Sequence, residues 1–236
     1  MKGFEVEDLK HFLSLVLNYY ILKNTNFTDD AATQNQTMRR YYRLQSKIYD
    51  ATRWTFLFGR KRILQMFPFP DTANIHILEV GCGTGYNLSR MAQIFPNARL
   101  TGMDVSADMI ALSKKNTRAY ADRVTLLEKP YMPDETAFTG KVDVILFSYS
   151  LTMINPQWKD LILKAKADLK PGGAIAVVDF HDSRFGWFKR HMGNNHVRMD
   201  SHLLPLLQTE FDSLVEEVKS AYGGIWEYVL FVGRKK

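Results

Sequence analysis

The stretch that decides the fold is IHILEVGCGTG, which occupies residues 75–85. Its first six residues are mostly apolar, which is typical of a short strand buried on both faces of a parallel sheet. Three glycines follow at alternate positions, Gly81, Gly83 and Gly85. Because glycine lets the backbone turn tightly and approach a ligand closely, the stretch predicts a strand that ends in a ligand-binding turn.

Short apolar runs alternate with helical patterns along most of the chain. This alternation predicts an α/β fold, a Rossmann-like doubly wound parallel sheet. Two further apolar runs near the end, separated by a glycine turn at 222–224, predict an antiparallel pair and bring the sheet to seven strands with an antiparallel final strand. The predicted strands are 75–80, 99–103, 124–127, 142–147, 174–180, 211–220 and 226–232, and the predicted helices are 86–95, 107–120 and 158–169.

The first 70 residues divide into three parts. Residues 1–37 are predicted to be an N-terminal helical extension, through which the chain could form an oligomer, followed by a polar connector at 24–37. Residues 38–70 are predicted to be a helical lid, with a helical stretch over 38–67, at the start of a domain that spans 38–236. The apolar run at 11–22 is too short to cross a bilayer.

The amino-acid composition limits the classes of protein to which the chain can belong. The 236 residues are 46% hydrophobic and 24% charged, as in an ordinary globular protein with a core. The single cysteine, Cys82, excludes an intrachain disulfide and a cysteine-based zinc site, and no other metal site is predicted. One cysteine suits a reducing compartment, so we expect a cytoplasmic protein.

The net charge of +6 is concentrated in one segment. Residues 39–62 hold eight basic residues against one acidic residue, a net charge of +7, and the rest of the chain sums to −1. A basic patch on a near-neutral body predicts a localised anionic partner, such as a phospholipid surface or a nucleic acid. The alternative is a helix face that is simply solvated.

The residues around the glycine turn favour one kind of ligand. A dinucleotide-binding turn needs a third glycine at position 86 for close packing of helix and strand, but Tyr86 stands there and disfavours NAD. Glu79, two residues before the first glycine, could attract a cationic α-amino group. Asp104, at the end of the second strand, is placed to accept hydrogen bonds from both ribose hydroxyls. Together they favour a nucleoside that bears an amino acid.

These motifs resemble those of class I S-adenosylmethionine-dependent methyltransferases. The shared features are the acidic residue and glycines at 79–85, the acid that ends strand two, the Val142–Ile145 motif, and the Leu169–Gly173 turn before strand five. The resemblance spans 75–236 and implies S-adenosylmethionine as the cofactor. It places cofactor-binding residues at Glu79, Gly81, Gly83, Gly85, Asp104, Val105, Glu128, Ser148 and Tyr49.

A second resemblance concerns the substrate. Residues 39–60, 148–154 and 178–182 are similar to bacterial betaine-lipid N-methyltransferases and phosphatidylethanolamine N-methyltransferases. This resemblance implies an amine headgroup of a membrane lipid as substrate and peripheral binding to an anionic membrane surface on the inner membrane face. The residues expected to contact substrate or membrane are Arg39, Arg40, Tyr42, Arg43, Arg53 and Trp54.

Methylation of an amine requires the amine to lose a proton first. We expect His181 to be the leading proton acceptor, with Tyr149 and Asp182 as alternatives, and Tyr49 and Tyr149 to shape the amine pocket. Each of these residues could instead have a purely structural role. His181 and Asp182 could hydrogen-bond a loop, and the tyrosines could pack in the core.

Other functions remain compatible with the residues. One is a soluble small-molecule methyltransferase, or an aminopropyl-type transferase on the same fold, and another is a non-catalytic scaffold that binds cofactor or membrane. A nucleic-acid methyltransferase is disfavoured, because no base-flipping Asn/Asp-Pro-Pro-Tyr motif follows strand four, where Ser148, Tyr149 and Ser150 stand.

Overall fold

The computed structural model describes residues 57–154, 156–194 and 197–236. Residues Gly59–Lys236 form one compact unit built around a single sheet. Its strands are β1 (His76–Val80), β2 (Arg99–Asp104), β3 (Val124–Glu128), β4 (Val142–Ser148), β5 (Leu169–Phe180), β6 (Phe211–Ala221) and β7 (Trp226–Lys235). The helices are α1 (Arg60–Leu64), α2 (Tyr86–Ile94), α3 (Ala107–Asn116), α4 (Trp158–Asp168), α5 (Gly186–Gly193) and α6 (Leu203–Glu210).

The seven strands lie in the order β3-β2-β1-β4-β5-β7-β6. Strands β1 to β5 are parallel, and β7 is antiparallel to both of its neighbours, β5 and β6. The strand order reverses between β1 and β4, and in open parallel sheets this is where ligands bind, outside the carboxyl ends of the strands. The predicted fold class is confirmed, including the antiparallel final strand.

Helices cover both faces of the sheet. Helices α4 and α6 pack on the face that carries Leu78 and Val177. On the opposite face, Gly59 at the start of α1 lies against Val178, and Asn87 of α2 reaches Glu79. Because the central strands are covered on both faces, they read as almost continuous apolar runs.

Several predicted boundaries are wrong, most of them by one residue, and strand β7 ends at Lys235 rather than residue 232. The helix predicted over 107–120 ends at Asn116, because the backbone of Thr117 leaves the helical conformation with φ −102° and ψ 8°, and a separate 3-10 turn follows at Arg118–Tyr120. Strand β5 begins at Leu169 rather than residue 174, since Leu169 pairs with Val142 across a register shift. Helix α4 therefore ends one residue earlier than expected.

The predicted helical stretch over 38–67 is only partly helical in its described part. Gly59 has a φ of +78°, outside the helical range, so helix α1 begins only at Arg60 and ends at Leu64. The remainder of that prediction, and residues 1–37, lie outside the described residues. No helix in the described part of the chain is long and apolar enough to cross a membrane.

Candidate active site

The glycine turn lies at the carboxyl end of β1, where the sheet order reverses. The N–H groups of Gly81 and Cys82 donate 2.8 and 2.9 Å hydrogen bonds to the carbonyl of Met103 in β2. Gly85 has a φ of +76°, and a Cβ there would lie 2.3 Å from Oγ of Ser113. Only glycine fits this position, so the turn is held close to β2 and α3.

Asp104 joins the turn to the end of β2. Its Oδ2 accepts a 2.8 Å hydrogen bond from the N–H of Gly83, and its Oδ1 accepts a 3.0 Å bond from the N–H of Ser106. Helix α3 is capped instead by the Ser106 hydroxyl, which accepts from the N–H of Met109 at 3.4 Å. Each carboxylate oxygen retains a second acceptor position, so the predicted ribose contact stays compatible with these bonds.

Glu79 is buried in β1 beside the turn. Asn87 donates a 2.6 Å hydrogen bond from Nδ2 to its Oε1, while Oε2 has no hydrogen-bond partner among the described residues. Burial raises the pKa of this carboxyl to about 8, although the hydrogen bond from Asn87 and the charge of Arg60 act in the opposite direction. An incoming cationic group would therefore favour the ionised form of Glu79.

Tyr86, the residue that stands where a dinucleotide-binding turn has glycine, begins helix α2. The guanidinium of Arg60 lies 4.1 Å from the centre of its ring, which is a cation–π contact. Arg60 thereby joins α1 to α2 next to Glu79. Arg62, on the same short helix, makes a two-pronged ion pair with Glu217 of β6 at 2.6 and 3.0 Å. Two cations of the 39–62 segment thus hold α1 in place.

Three other predicted cofactor residues end neighbouring strands or follow them. Val105 is 71% exposed directly after β2. Glu128 is exposed at the end of β3 and is the register partner of Asp104. Ser148 is buried at the end of β4, and its hydroxyl has no hydrogen-bond partner among the described residues. The structure brings these side chains to the same edge of the sheet as the glycine turn.

This edge fits the expected cofactor. A glycine turn without side chains, a carboxylate at the end of β2 and the unpartnered polar atoms of Glu79 and Ser148 are suited to a nucleoside with an amino-acid group. Tyr49, also predicted to bind cofactor, lies outside the described residues.

The predicted catalytic residues follow β4 and β5. Tyr149 has a φ of +57°, is 2% exposed, and packs edge-on against Phe180 with ring centres 4.8 Å apart. His181 is half-buried directly after β5, and its Nδ1 has no hydrogen-bond partner in the described chain. Burial lowers the pKa of His181 against the opposing charges of Glu227 and Asp182, so the ring favours its neutral form.

Asp182 makes contacts within its own loop. Its Oδ1 accepts a 2.6 Å hydrogen bond from the N–H of Ser183 and pairs with the ammonium of Lys189. Although desolvation raises the pKa of Asp182, the Lys189 and Ser183 bonds outweigh it and hold the pKa below its usual value. These contacts correspond to the loop-stabilising interpretation of Asp182.

Two polar residues at this edge, Asp179 and Thr152, were not singled out as site residues from the sequence. Asp179 is fully buried in β5, and its carboxylate accepts hydrogen bonds from Oγ1 of Thr152 at 2.5 Å and from the N–H of Thr152 at 3.3 Å. Burial raises the pKa of Asp179 to about 6, against the hydrogen bonds it accepts from Thr152, Phe180 and Leu151. The pair fixes the turn that follows β4 onto the end of β5.

The remaining predicted substrate and membrane residues precede the described part of the chain. They precede residue 57 and so lie outside the described residues: Arg39, Arg40, Tyr42, Arg43, Tyr49, Arg53 and Trp54. The aromatic and basic segment after β5 is described. Within it Trp187 of α5 is 53% exposed, while Phe188 beside it is buried.

Known proteins are similar to the central part of the chain. Residues 77–173 match the family described as "Methyltransferase domain". Malonyl-acyl carrier protein O-methyltransferase of Priestia megaterium is 33% identical over 111 residues, covering 47% of this chain and 39% of that protein. Trans-aconitate 2-methyltransferase of Deinococcus radiodurans is 30% identical over 108 residues, covering 46% of this chain and 39% of that protein.

The fold has a solved counterpart in the 1,6-didemethyltoxoflavin-N1-methyltransferase of Burkholderia thailandensis, with a TM-score of 0.63, 15% identity, and coverage of 90% of this chain and 93% of that one. The chain spans only about two fifths of the length of the two curated relatives named above. The matched residues contain the glycine turn, Asp104 and Ser148, and the methyltransferase-domain match indicates S-adenosylmethionine as the cofactor. Residues 77–173 are therefore similar to methyltransferase domains of the class I, S-adenosylmethionine-dependent type.

Proposed function

We propose that this chain transfers a methyl group from S-adenosylmethionine to an acceptor bound at the carboxyl ends of β4 and β5. The observation that carries the proposal is the 2.8 Å hydrogen bond from the N–H of Gly83 to Asp104, which fixes the glycine turn beside the carboxylate at the end of β2. We further propose that residues 38–236 make up the working domain, with 38–70 covering the site.

In this proposal, three groups of residues bind the cofactor. Asp104 holds the ribose, the turn 81–85 lies against the amino-acid part, and Glu79 faces the α-amino group. When bound, S-adenosylmethionine supplies an electrophilic methyl group on a sulfonium. The chain's own contribution is to align the acceptor with that methyl group and to exclude water, because direct displacement depends mainly on alignment.

The finer proposal is N-methylation of an amine carried by a membrane lipid, diacylglyceryl-homoserine or phosphatidylethanolamine. Its support is the resemblance of residues 39–60 to lipid N-methyltransferases and the net charge of +7 over residues 39–62. The exposed ring of Trp187 on α5, next to Lys189 and Arg190, is the kind of side chain that inserts at a membrane interface. In this proposal the chain binds peripherally to an anionic membrane surface.

A second candidate is methylation of a soluble small molecule. It is favoured by the names of the two curated relatives, which refer to a malonyl group on acyl carrier protein and to trans-aconitate. Both names point to acids rather than amines. In this reading the segment 39–62 is a solvated helix face.

One experiment separates the candidates. The chain is incubated with methyl-labelled S-adenosylmethionine and, in parallel, vesicles of phosphatidylethanolamine, vesicles of diacylglyceryl-homoserine, free homoserine, and trans-aconitate. Label in the lipid fraction supports the lipid-amine proposal. Label in homoserine or trans-aconitate but in neither lipid overturns it in favour of a small molecule, and cofactor binding without label in any acceptor favours a scaffold.

Membrane binding is measured separately by sedimentation with vesicles. Binding through the basic segment should require anionic lipid and weaken with salt, since each basic residue near the surface contributes about 1 kcal/mol. A triple variant with Arg39, Arg40 and Arg43 changed to Ala should lose most of this binding. Trp187→Ala should weaken it further, whereas Leu163→Ala, which removes an exposed apolar side chain from α4, should not. Equal binding to neutral and anionic vesicles contradicts the proposal.

A further inference from the structure

A segment of chain crosses the edge where β4 and β5 end. We call residues 197–202 the crossing segment. The N–H of Arg198 donates a 2.9 Å hydrogen bond to the carbonyl of Thr152, in the turn after β4. The N–H of Ser201 donates a 2.9 Å bond to the carbonyl of His181, directly after β5. The crossing segment is therefore fixed at both strand ends, on the acceptor side of the proposed site.

The crossing segment ends in a histidine that is held by a carboxylate. Nδ1 of His202 lies 2.5 Å from Oδ1 of Asp200, and the His202 side chain is only 5% exposed. An ionised carboxylate accepts hydrogen bonds and donates none, so the proton of the neutral ring lies on Nδ1. Nε2 is left with a free lone pair.

That nitrogen, Nε2 of His202, is buried and has no hydrogen-bond partner in the described part of the chain. The ring packs edge-on against Trp158, with ring centres 4.6 Å apart. A buried acceptor without a hydrogen-bond partner is costly, and such a group in a native structure calls for an explanation, a catalytic role among them. Nδ1 of His181 is buried and unpartnered in the same way.

Burial favours the neutral form of the His202 ring. Burial lowers the pKa of His202, and the nearby Arg198 and His181 lower it further, while Asp200 opposes them by charge and by its hydrogen bond. A neutral imidazole with Nδ1 protonated is the form that can accept a proton on Nε2.

We infer that His202, oriented by Asp200, accepts the proton that the acceptor's nucleophilic atom loses. The inference rests on the proposed methyl transfer and narrows its substrate class. A carboxylate acceptor is already ionised at neutral pH and has no proton to lose, whereas an amine or a hydroxyl has one. The Asp200–His202 pair therefore selects an acceptor whose reacting atom is an N–H or O–H group.

In this step one bond breaks and one forms. The N–H or O–H bond of the acceptor breaks, its proton forms a bond with the lone pair of Nε2 of His202, and the electron pair of the broken bond stays on the acceptor atom. The imidazolium that results is stabilised by the carboxylate of Asp200. The imidazolium then gives this proton to solvent.

A chain of hydrogen bonds positions the pair. Thr152 is held by the buried Asp179, and its carbonyl accepts from the N–H of Arg198. Nε of Arg198 then donates a 2.8 Å bond to Oδ2 of Asp200, and Oδ1 of the same carboxylate holds His202. Arg198 and Asp179 are positioning residues in this arrangement, since they act through Asp200 and Thr152.

Substitutions separate proton transfer from packing. In His202→Asn, the amide nitrogen replaces Nδ1 and can still donate to Asp200, but nothing replaces Nε2. We expect turnover of an amine acceptor, phosphatidylethanolamine or homoserine, to fall 10²–10⁴-fold, as losing a general base usually does, with unchanged affinity for S-adenosylmethionine. His76→Asn is the matched control, because His76 is also half-buried but lies at the start of β1, bonded to Thr101. Its turnover should be normal.

A second measurement does not depend on activity. Nitrogen-15 NMR of the histidine-labelled chain should show His202 with a proton on Nδ1 and none on Nε2, and Asp200→Asn should disturb this tautomer. A wild-type ring protonated on Nε2 overturns the inference, as does near-normal turnover in His202→Asn or methylation of trans-aconitate but of no amine. If S-adenosylmethionine does not bind at all, the proposed function fails, while the NMR result still decides the state of His202.

Discussion

Asn87 donates a 2.6 Å hydrogen bond to Oε1 of Glu79, and this bond gives the buried carboxyl its one hydrogen-bond partner among the described residues. The bond reaches from the first turn of α2 back to the middle of the sheet. It leaves Oε2 available beside the glycine turn, so the protonation state of Glu79 should respond to whatever binds there.

Binding of S-adenosylmethionine should release a proton from Glu79. Burial raises the pKa of Glu79 to about 8, so the free protein holds it mostly protonated at pH 7. A cationic α-amino group nearby favours the carboxylate and lowers this pKa, which expels the proton. The release should approach one proton at pH 7 and fall away above pH 8. Calorimetry in two buffers of different ionisation enthalpy measures it.

Glu79→Gln is the control for that measurement, since it keeps the bond to Asn87 and cannot ionise. Its binding heat should be the same in both buffers. Equal heats in the wild-type protein would show that Glu79 does not face the amino group.

Gly85→Ala should destabilise the protein more than Gly140→Ala. Both glycines have positive φ, +76° and +65°, so an alanine at either position is strained by about 1–2 kcal/mol. A Cβ at position 85 also meets Ser113 at 2.3 Å, whereas a Cβ at position 140 meets nothing within 4 Å. Overpacking adds about 1–3 kcal/mol at position 85. Urea denaturation measures both variants, and equal losses would refute the close contact with α3.

Lys164→Met should destabilise the fold strongly. Lys164 and Asp168 form an ion pair within α4 whose side chains are 4% and 0% exposed, and Tyr131 donates a 2.6 Å hydrogen bond to the same carboxylate. Removing the lysine leaves the buried carboxylate of Asp168 with one partner fewer, a change that typically costs about 3–5 kcal/mol.

Lys170→Met is the matched control. It breaks a more exposed pair with Asp143, and such pairs contribute about 0–1 kcal/mol. Similar unfolding free energies for the two variants would contradict this assignment.

The sheet was predictable because its signals are local. Each parallel strand is a short apolar run closed by a turn, and the cap at Ser106 is a single residue before its helix. Glycine spacing and the acids at 79 and 104 fell at strand ends, so the sequence could also locate the cofactor side of the site.

The acceptor side was less predictable because its contacts join distant residues. Asp179 and Thr152 are 27 residues apart and lie in separate elements, so local sequence spacing does not predict their contact. Helices α5 and α6 are eight residues each and lack a side-chain cap, so neither was predicted. His202, which we propose as the proton acceptor, was not predicted for the same reason. Its one local signal was the carboxylate two residues earlier, which is common in loops.

Calorimetric titration with S-adenosylmethionine, compared between the wild-type chain and Asp104→Ala, tests the assignment of the cofactor site. We expect one site in the wild type and at least tenfold weaker binding in Asp104→Ala, because a hydrogen bond to a charged group contributes about 1.5–3 kcal/mol. Asp108→Ala, which removes an exposed carboxylate four residues along, should bind normally. Unchanged affinity in a folded Asp104→Ala protein, or tight binding of NAD by the wild type, would contradict the site described here.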